Sequence, residues 1–189
     1  MEAFLVSVGV VALGEIGDKT QLLALLLATR YRKALPIVAG VLVATLANHA
    51  LAGLFGAWLR SVISPEMMRW GLGLSFLAVA AWVLVPDKID DEGLKESGQW
   101  GVFALTTWLF FLAEIGDKTQ IATIMLAARY DALVAVVTGT TLGMMLVNVP
   151  TVLVGRALAP RIPLKWVRAI AALLFAGLGI AVLAGAGEV

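Results

Sequence analysis

Apolar residues run through this chain in stretches long enough to cross a bilayer, separated by short polar joints. A membrane span needs ~20 apolar residues, each rising about 1.5 Å. Six stretches meet that length, at 3–29, 34–60, 67–85, 100–128, 132–158 and 164–186. Pro36, Pro65, Pro86, Pro160 and Pro163 stand at the joints, where a residue without an N–H starts or ends a helix without breaking its ladder. Pro150 is the exception, inside the fifth stretch. Trp58, Trp70, Trp82, Trp100 and Trp166 fall near predicted helix ends, as an interfacial aromatic belt requires, and Trp108 lies deeper. The pattern predicts an all-α polytopic membrane protein of six transmembrane helices. The sizeable polar segment, 86–99, is expected to be a linker between two three-helix halves, 1–85 and 100–189.

Alternate joints differ in charge. The first, third and fifth carry Arg30, Arg32, Lys33, Lys88, Lys95, Arg156, Arg161, Lys165 and Arg168, and the others only Arg60, Arg69 and Arg129. By the positive-inside rule the odd joints, including the linker, face the cytoplasm and both termini face outward. The start, MEAFLVSV, has no basic segment and no small-residue cleavage site, so its apolar stretch reads as a retained helix.

The halves repeat each other. EIGDKTQ occurs at 15–21 and, unchanged, at 114–120, an offset of 99 residues. The same offset pairs Arg30 with Arg129, Tyr31 with Tyr130, Gly40 with Gly139, Gly56 with Gly155, Arg69 with Arg168 and Phe76 with Phe175. Three spans per half is an odd number, so the second half must enter the membrane from the opposite side. The expected architecture is therefore two inverted-topology three-helix repeats, with a site at their interface near the midplane.

Composition agrees: 61% of the 189 residues are hydrophobic and 14% charged, against about 45–50% and 25% in soluble domains, and the mean hydropathy is +0.96. A net charge of +1 with scattered Lys and Arg argues against a nucleic-acid partner. The absence of cysteine excludes disulfides, thiolate metal sites, Fe–S clusters and a Cys nucleophile.

Against this apolar background, Glu15, Asp18, Lys19, Glu114, Asp117 and Lys118 stand out. One charge at the bilayer centre costs roughly 2.5–3.5 kcal/mol even on a lenient scale. On a continuous helix Glu15, Asp18 and Lys19 share a face, with Gln21 at its edge and Thr20 pointing elsewhere; the second motif repeats this with Gln120 and Thr119. One reading is that Glu15–Lys19 and Glu114–Lys118 are i,i+4 ion pairs that only hold the bundle together. It leaves Asp18 and Asp117 without partners on their own helices, and a cation would supply what they lack.

Inverted symmetry is expected to bring Glu15, Asp18, Glu114 and Asp117 together as cation ligands. Four carboxylates in a low-dielectric site do not all stay ionised unless a cation joins them or protons bind, so metal and protons compete. With Lys19 and Lys118 charged the site carries −2, which one divalent cation or two protons neutralise. The lysines then serve charge compensation or proton coupling. Hard oxygen ligands suit Ca²⁺, Mg²⁺ and Mn²⁺.

Further ligands or supporting groups are available from Asn48 and His49 in the second stretch and from Met144, Met145 and Asn148 in the fifth, where Met144 offers a softer donor. A buried Met is more often packing, and a lone His more often hydrogen-bonded to a neighbour. Thr20 and Thr119 either bond backbone carbonyls or line the path. Pro150 frees the carbonyl of Leu146, as a ligand or simply as a kink.

The doubled Glu-Ile-Gly-Asp-Lys-Thr resembles the Glu-x-Gly-Asp-(Lys/Arg)-(Thr/Ser) signature of a family of cation/proton exchangers that includes bacterial manganese exporters and Golgi calcium and manganese transporters. The similarity covers essentially the whole chain. It implies Mn²⁺ or Ca²⁺ transport driven by counter-moving protons, with Glu15, Asp18, Glu114 and Asp117 at the ion site. The expectation is a bacterial inner-membrane exporter of Mn²⁺ that works by alternating access, with no resident cofactor, since the cation is cargo. An exporter of small basic solutes would be repelled by the two lysines, and a membrane scaffold would use the charges only for packing. An enzyme is disfavoured by the lack of a Ser–His or HExxH arrangement.

Overall fold

The computed structural model describes residues 1–85, 99–158 and 164–185, so the linker at 86–98, the joint with Pro160, Arg161 and Pro163, and the last residues lie outside it. The described residues form eight helices: α1 (Glu2–Glu15), α2 (Lys19–Tyr31), α3 (Ala34–Val62), α4 (Pro65–Val83), α5 (Gln99–Glu114), α6 (Lys118–Arg129), α7 (Leu133–Leu158) and α8 (Leu164–Leu183). By length and composition, three helical segments are apolar enough to cross a membrane: Ala34–Val62, Leu133–Val154 and Lys165–Leu183.

The first and fourth apolar stretches are not continuous helices, which corrects the expectation drawn from their apolar run. Each breaks inside its EIGD segment. Ile16 is extended, Gly17 takes φ 82° and Asp18 starts α2; Gly116 takes φ 75° and Asp117 starts α6. A φ in that region favours glycine, and an aspartate that follows it is a good N-cap. Local backbone chemistry here outweighs a hydrophobic pattern that only says which segments avoid water.

The long helix of each half packs on the broken pair of the other: α3 on α5 and α6, and α7 on α1 and α2, while α4 packs on α8 and α3 crosses α7. The register recurs at the 99-residue offset. A Cβ on Gly40 would lie 2.8 Å from Thr106 Cβ and 3.0 Å from Phe103 O, and one on Gly139 would lie 2.9 Å from Ser7 Cβ and 2.7 Å from Phe4 O. Further along, Asn48 bonds Phe111 O, and Asn148 bonds Glu15. Each long helix thus runs parallel to the broken pair it covers. Phe76 of α4 and its offset mate Phe175 of α8, both fully buried, meet with ring centroids 6.3 Å apart. Two apolar clusters fill the interior, one around Leu126, Val136 and Phe175, the other around Leu27, Ile37 and Phe110. Neither half buries its core alone.

The tight α3–α5 and α7–α1 contacts depend on missing side chains. Gly139→Ala should destabilise the protein by about 1–3 kcal/mol, because Phe4 O is backbone and must move. Gly9→Ala, with nothing within 4 Å, should be neutral or stabilising by up to ~1 kcal/mol. Unfolding of the detergent-solubilised variants checks both; equal losses would show that the close approach carries no energetic weight.

Candidate cation site

The two breaks are built alike. Gln21 Oε1 accepts from Gly17 N at 2.6 Å, and Gln120 Oε1 accepts from Gly116 N at 2.7 Å. Asp-Lys-Thr-Gln is in effect a capping box, with an N-cap aspartate and a side chain three residues on that reaches back to a free N–H. Thr20 donates to Glu15 Oε1 and Thr119 donates to Glu114 Oε2, the latter at 2.8 Å. Both threonines are fully buried and bond carboxylates, not backbone carbonyls. Glu15 and Glu114 end their half-helices, where the helix dipole presents its negative end, so a donor or cation beside them is favourable; Asp18 and Asp117 sit at N-termini, where negative charge is favoured.

The i,i+4 pairs expected on a continuous helix do not form. Each lysine instead reaches the aspartate of the other half: Lys19 Nζ lies 3.5 Å from Asp117 Oδ2, and Lys118 Nζ contacts Asp18 Oδ1. The break turns Lys19 and Lys118 away from the glutamates of their own segments. The two pairs differ in setting. The Lys118 side chain is 3% exposed and its ammonium lies 5.9 Å from the Trp82 ring centroid, whereas the Lys19 side chain is 29% exposed.

All four acids are buried. Glu15 lies within electrostatic reach of Glu114 and Asp18, and Glu114 of Asp117, Asp18 and Lys19. Among the described residues, no three His, Cys, Asp or Glu side chains gather as a metal-holding group. In this arrangement hydroxyl, amide and ammonium donors engage the acids, yet Glu15 Oε2 and Glu114 Oε1 are buried without a hydrogen-bond partner.

The remaining sequence candidates separate into two groups. Asn148 donates to Glu15 Oε1 at 2.9 Å and to Met144 Sδ at 3.0 Å, which puts both beside the first break. His49 is buried on α3 with neither ring nitrogen hydrogen-bonded. Asn48 is a bracket: it donates to Phe111 O at 3.0 Å and accepts from Gln120 at 2.9 Å. Gln21 likewise donates to Thr151 of α7 at 3.0 Å. Pro150 and Leu146 lie on the exposed face of α7, away from the face that carries Met144 and Asn148.

Arg168, counted above as a joint charge, belongs to α8 and donates to Gly17 O at 3.3 Å, an acceptor exposed by the break. Its pairing with Arg69 at the repeat offset was the available signal, but without the break there was no carbonyl for it to meet.

A family model described as "Divalent cation/proton antiporter GDT1" matches the chain over residues 3–91 and 102–188. The chain belongs to the GDT1 family. Among its relatives, a Vibrio cholerae protein named "Putative manganese exporter" is 52% identical over 176 residues, covering 93% of this chain and 87% of the relative. A GDT1-like protein of Synechocystis is 34% identical over 193 residues, 93% of each chain. GDT1-like protein 4 of Oryza sativa is 30% identical over 204 residues, 95% of this chain and 72% of the relative. No solved structure matches. GDT1 membership makes this chain a cation-transporting integral membrane protein and not an enzyme.

The unequal settings of the two ion pairs give a direct test. Lys118→Gln, which breaks a sealed pair, should cost about 3–5 kcal/mol of stability. Lys19→Gln should cost less, because water reaches that pair from the 29%-exposed lysine, although its partner Asp117 is buried. Denaturant unfolding in detergent measures both, and equal costs would mean that exposure does not distinguish the pairs.

Proposed function

We propose that this protein exports Mn²⁺ from the cytoplasm in exchange for protons, through a site formed by Glu15, Asp18, Glu114 and Asp117 at the two helix breaks. The observation that carries this reading is the reciprocal pairing of Lys19 with Asp117 and Lys118 with Asp18. Ammonium groups hold positions beside carboxylates where a divalent cation would be neutralised. The membership in an antiporter family and the manganese named for the Vibrio relative support the cargo and the coupling.

Four carboxylates and two lysines carry −2. One Mn²⁺ or two protons cancels it, and the oxygens that bind the metal are those that bind protons, so occupancy by one excludes the other. As the cation enters, each ammonium yields its aspartate. Thr20, Thr119 and Asn148 hold the glutamates in place, and Gln21, Gln120 and Asn48 hold the unwound backbone. Discontinuous helices at a repeat interface are the usual means by which transporters place carbonyls and charges at mid-membrane.

In this reading the halves are inverted-topology repeats with six spans, each broken pair counting as one, in the bacterial inner membrane with both termini outside. The recurrence of the Gly40 and Gly139 contacts and the Phe76–Phe175 meeting support the repeat. The small residues along α3 and α7 leave smooth tracks on which one half rocks against the other.

Reconstituted liposomes given Mn²⁺, Ca²⁺ or Mg²⁺ under an imposed pH step test the proposal. Mn²⁺ flux should follow the proton gradient and be unchanged by a membrane potential, since the exchange is electroneutral. Asp18→Asn and Asp117→Asn keep a good N-cap but remove a ligand charge. Each should reduce flux by at least the roughly 10–100-fold that loss of even a supporting metal-site group costs. Flux indifferent to pH, or variants altered only in stability, would sink it.

A further inference from the structure

The two long helices meet the breaks with different chemistry at equivalent positions. On α7, Met144 and Asn148 are one turn apart, and Asn148 bridges Met144 Sδ to Glu15 while its Oδ1 is buried without a hydrogen-bond partner. Ninety-nine positions earlier, α3 carries Thr45 and His49. Both are fully buried, and Thr45 Oγ1, both His49 nitrogens and Glu114 Oε1 have no hydrogen-bond partner.

The register gives His49 an equivalent position in the other half. α3 follows α5 and α6 as α7 follows α1 and α2, with Gly40 against Phe103 and Thr106 where Gly139 meets Phe4 and Ser7. By the 99-residue offset, the pair Asn148–Glu15, joined at 2.9 Å, corresponds to His49 and Glu114, which are not hydrogen-bonded to each other in this arrangement. The neighbouring Asn48 is fixed to Phe111 and Gln120, so α3 is held beside the second break at the level of His49. A buried polar group left without a partner costs about 1–3 kcal/mol, and such groups in native proteins usually have a functional reason.

We propose that His49 is a cation ligand that completes, with Glu114 and Thr45, the second half of the site, and that its nitrogen donor selects Mn²⁺ over Ca²⁺ and Mg²⁺. Calcium and magnesium sites are built from oxygen, whereas imidazole suits transition metals. The inference rests on the reading of a divalent-cation site between the breaks. It adds what four carboxylates lack, since an all-oxygen set gives no reason to refuse the two abundant hard cations.

The chain contains one histidine, so protein purified without a histidine tag gives an unambiguous probe. Pulsed electron paramagnetic resonance of the Mn²⁺-loaded protein should show imidazole nitrogen coupling to the metal, altered by ¹⁵N-histidine labelling. His49→Asn, which installs the residue of the equivalent α7 position, should remove the coupling. It should also lower the Mn²⁺:Ca²⁺ transport ratio by about 10-fold or more. Bound Mn²⁺ without imidazole coupling in the unsubstituted protein overturns the proposal, and this spectrum decides even if the variant fails to fold. So does a variant that keeps its transport ratio. Failure of the unsubstituted protein to bind or transport Mn²⁺ would instead overturn the underlying cation-exchange reading.

Discussion

Six ionisable groups within apolar helices have to be neutralised where water cannot help, and the structure solves this across the two halves of the chain. Isolated, each charge would cost several kcal/mol. Within one half the lysine cannot reach its own glutamate, because the helix stops between them. Lys19 therefore meets Asp117 and Lys118 meets Asp18. The consequence is structural as well as electrostatic: each half leaves a buried aspartate that the other half must balance. The packing makes the same demand, since α3 and α7 bury their surfaces mainly on the opposite half.

The helix breaks follow from that arrangement and enable it. An unwound turn inside a membrane protein is tolerated only if its backbone groups find partners. Here Gln21 and Gln120 take the glycine N–H groups, and Arg168 takes the Gly17 carbonyl. Ending α1 and α5 at a glutamate and starting α2 and α6 at an aspartate sorts the acids by the field they experience. Negative charge is favoured at the aspartates and a cation is favoured beside the glutamates. Four chemically similar carboxylates thereby acquire two kinds of setting.

Much of this was legible in the sequence because it rests on identity and polarity. The repeated EIGDKTQ, its 99-residue offset and the charges in apolar runs identify the candidate site and the family from residues alone. The break was missed because hydropathy continues through it: Ile16 and Ile115 are as apolar as any helical neighbour. Gly-Asp followed by Gln three residues on was a readable N-terminal signature, but it was outweighed by the length of the run. The alternative that pairs Lys19 with Glu15 and Lys118 with Glu114 fails for the same reason, since i,i+4 geometry holds only on an unbroken helix.

Identical motifs do not give identical sites. The seven residues of the two EIGDKTQ segments match, yet Lys118 is sealed beneath Trp82 while Lys19 remains partly exposed. One neighbour that the repeat does not preserve is Trp82, which covers Lys118 and corresponds to Ala181; beside the glutamates, Asn148 corresponds to His49 and Met144 to Thr45. A strictly symmetric pair of halves in a symmetric arrangement would offer the same environment to both ion pairs. Divergence around the motifs goes with a Lys118 that is covered and a Lys19 that is 29% exposed, while both aspartates stay buried.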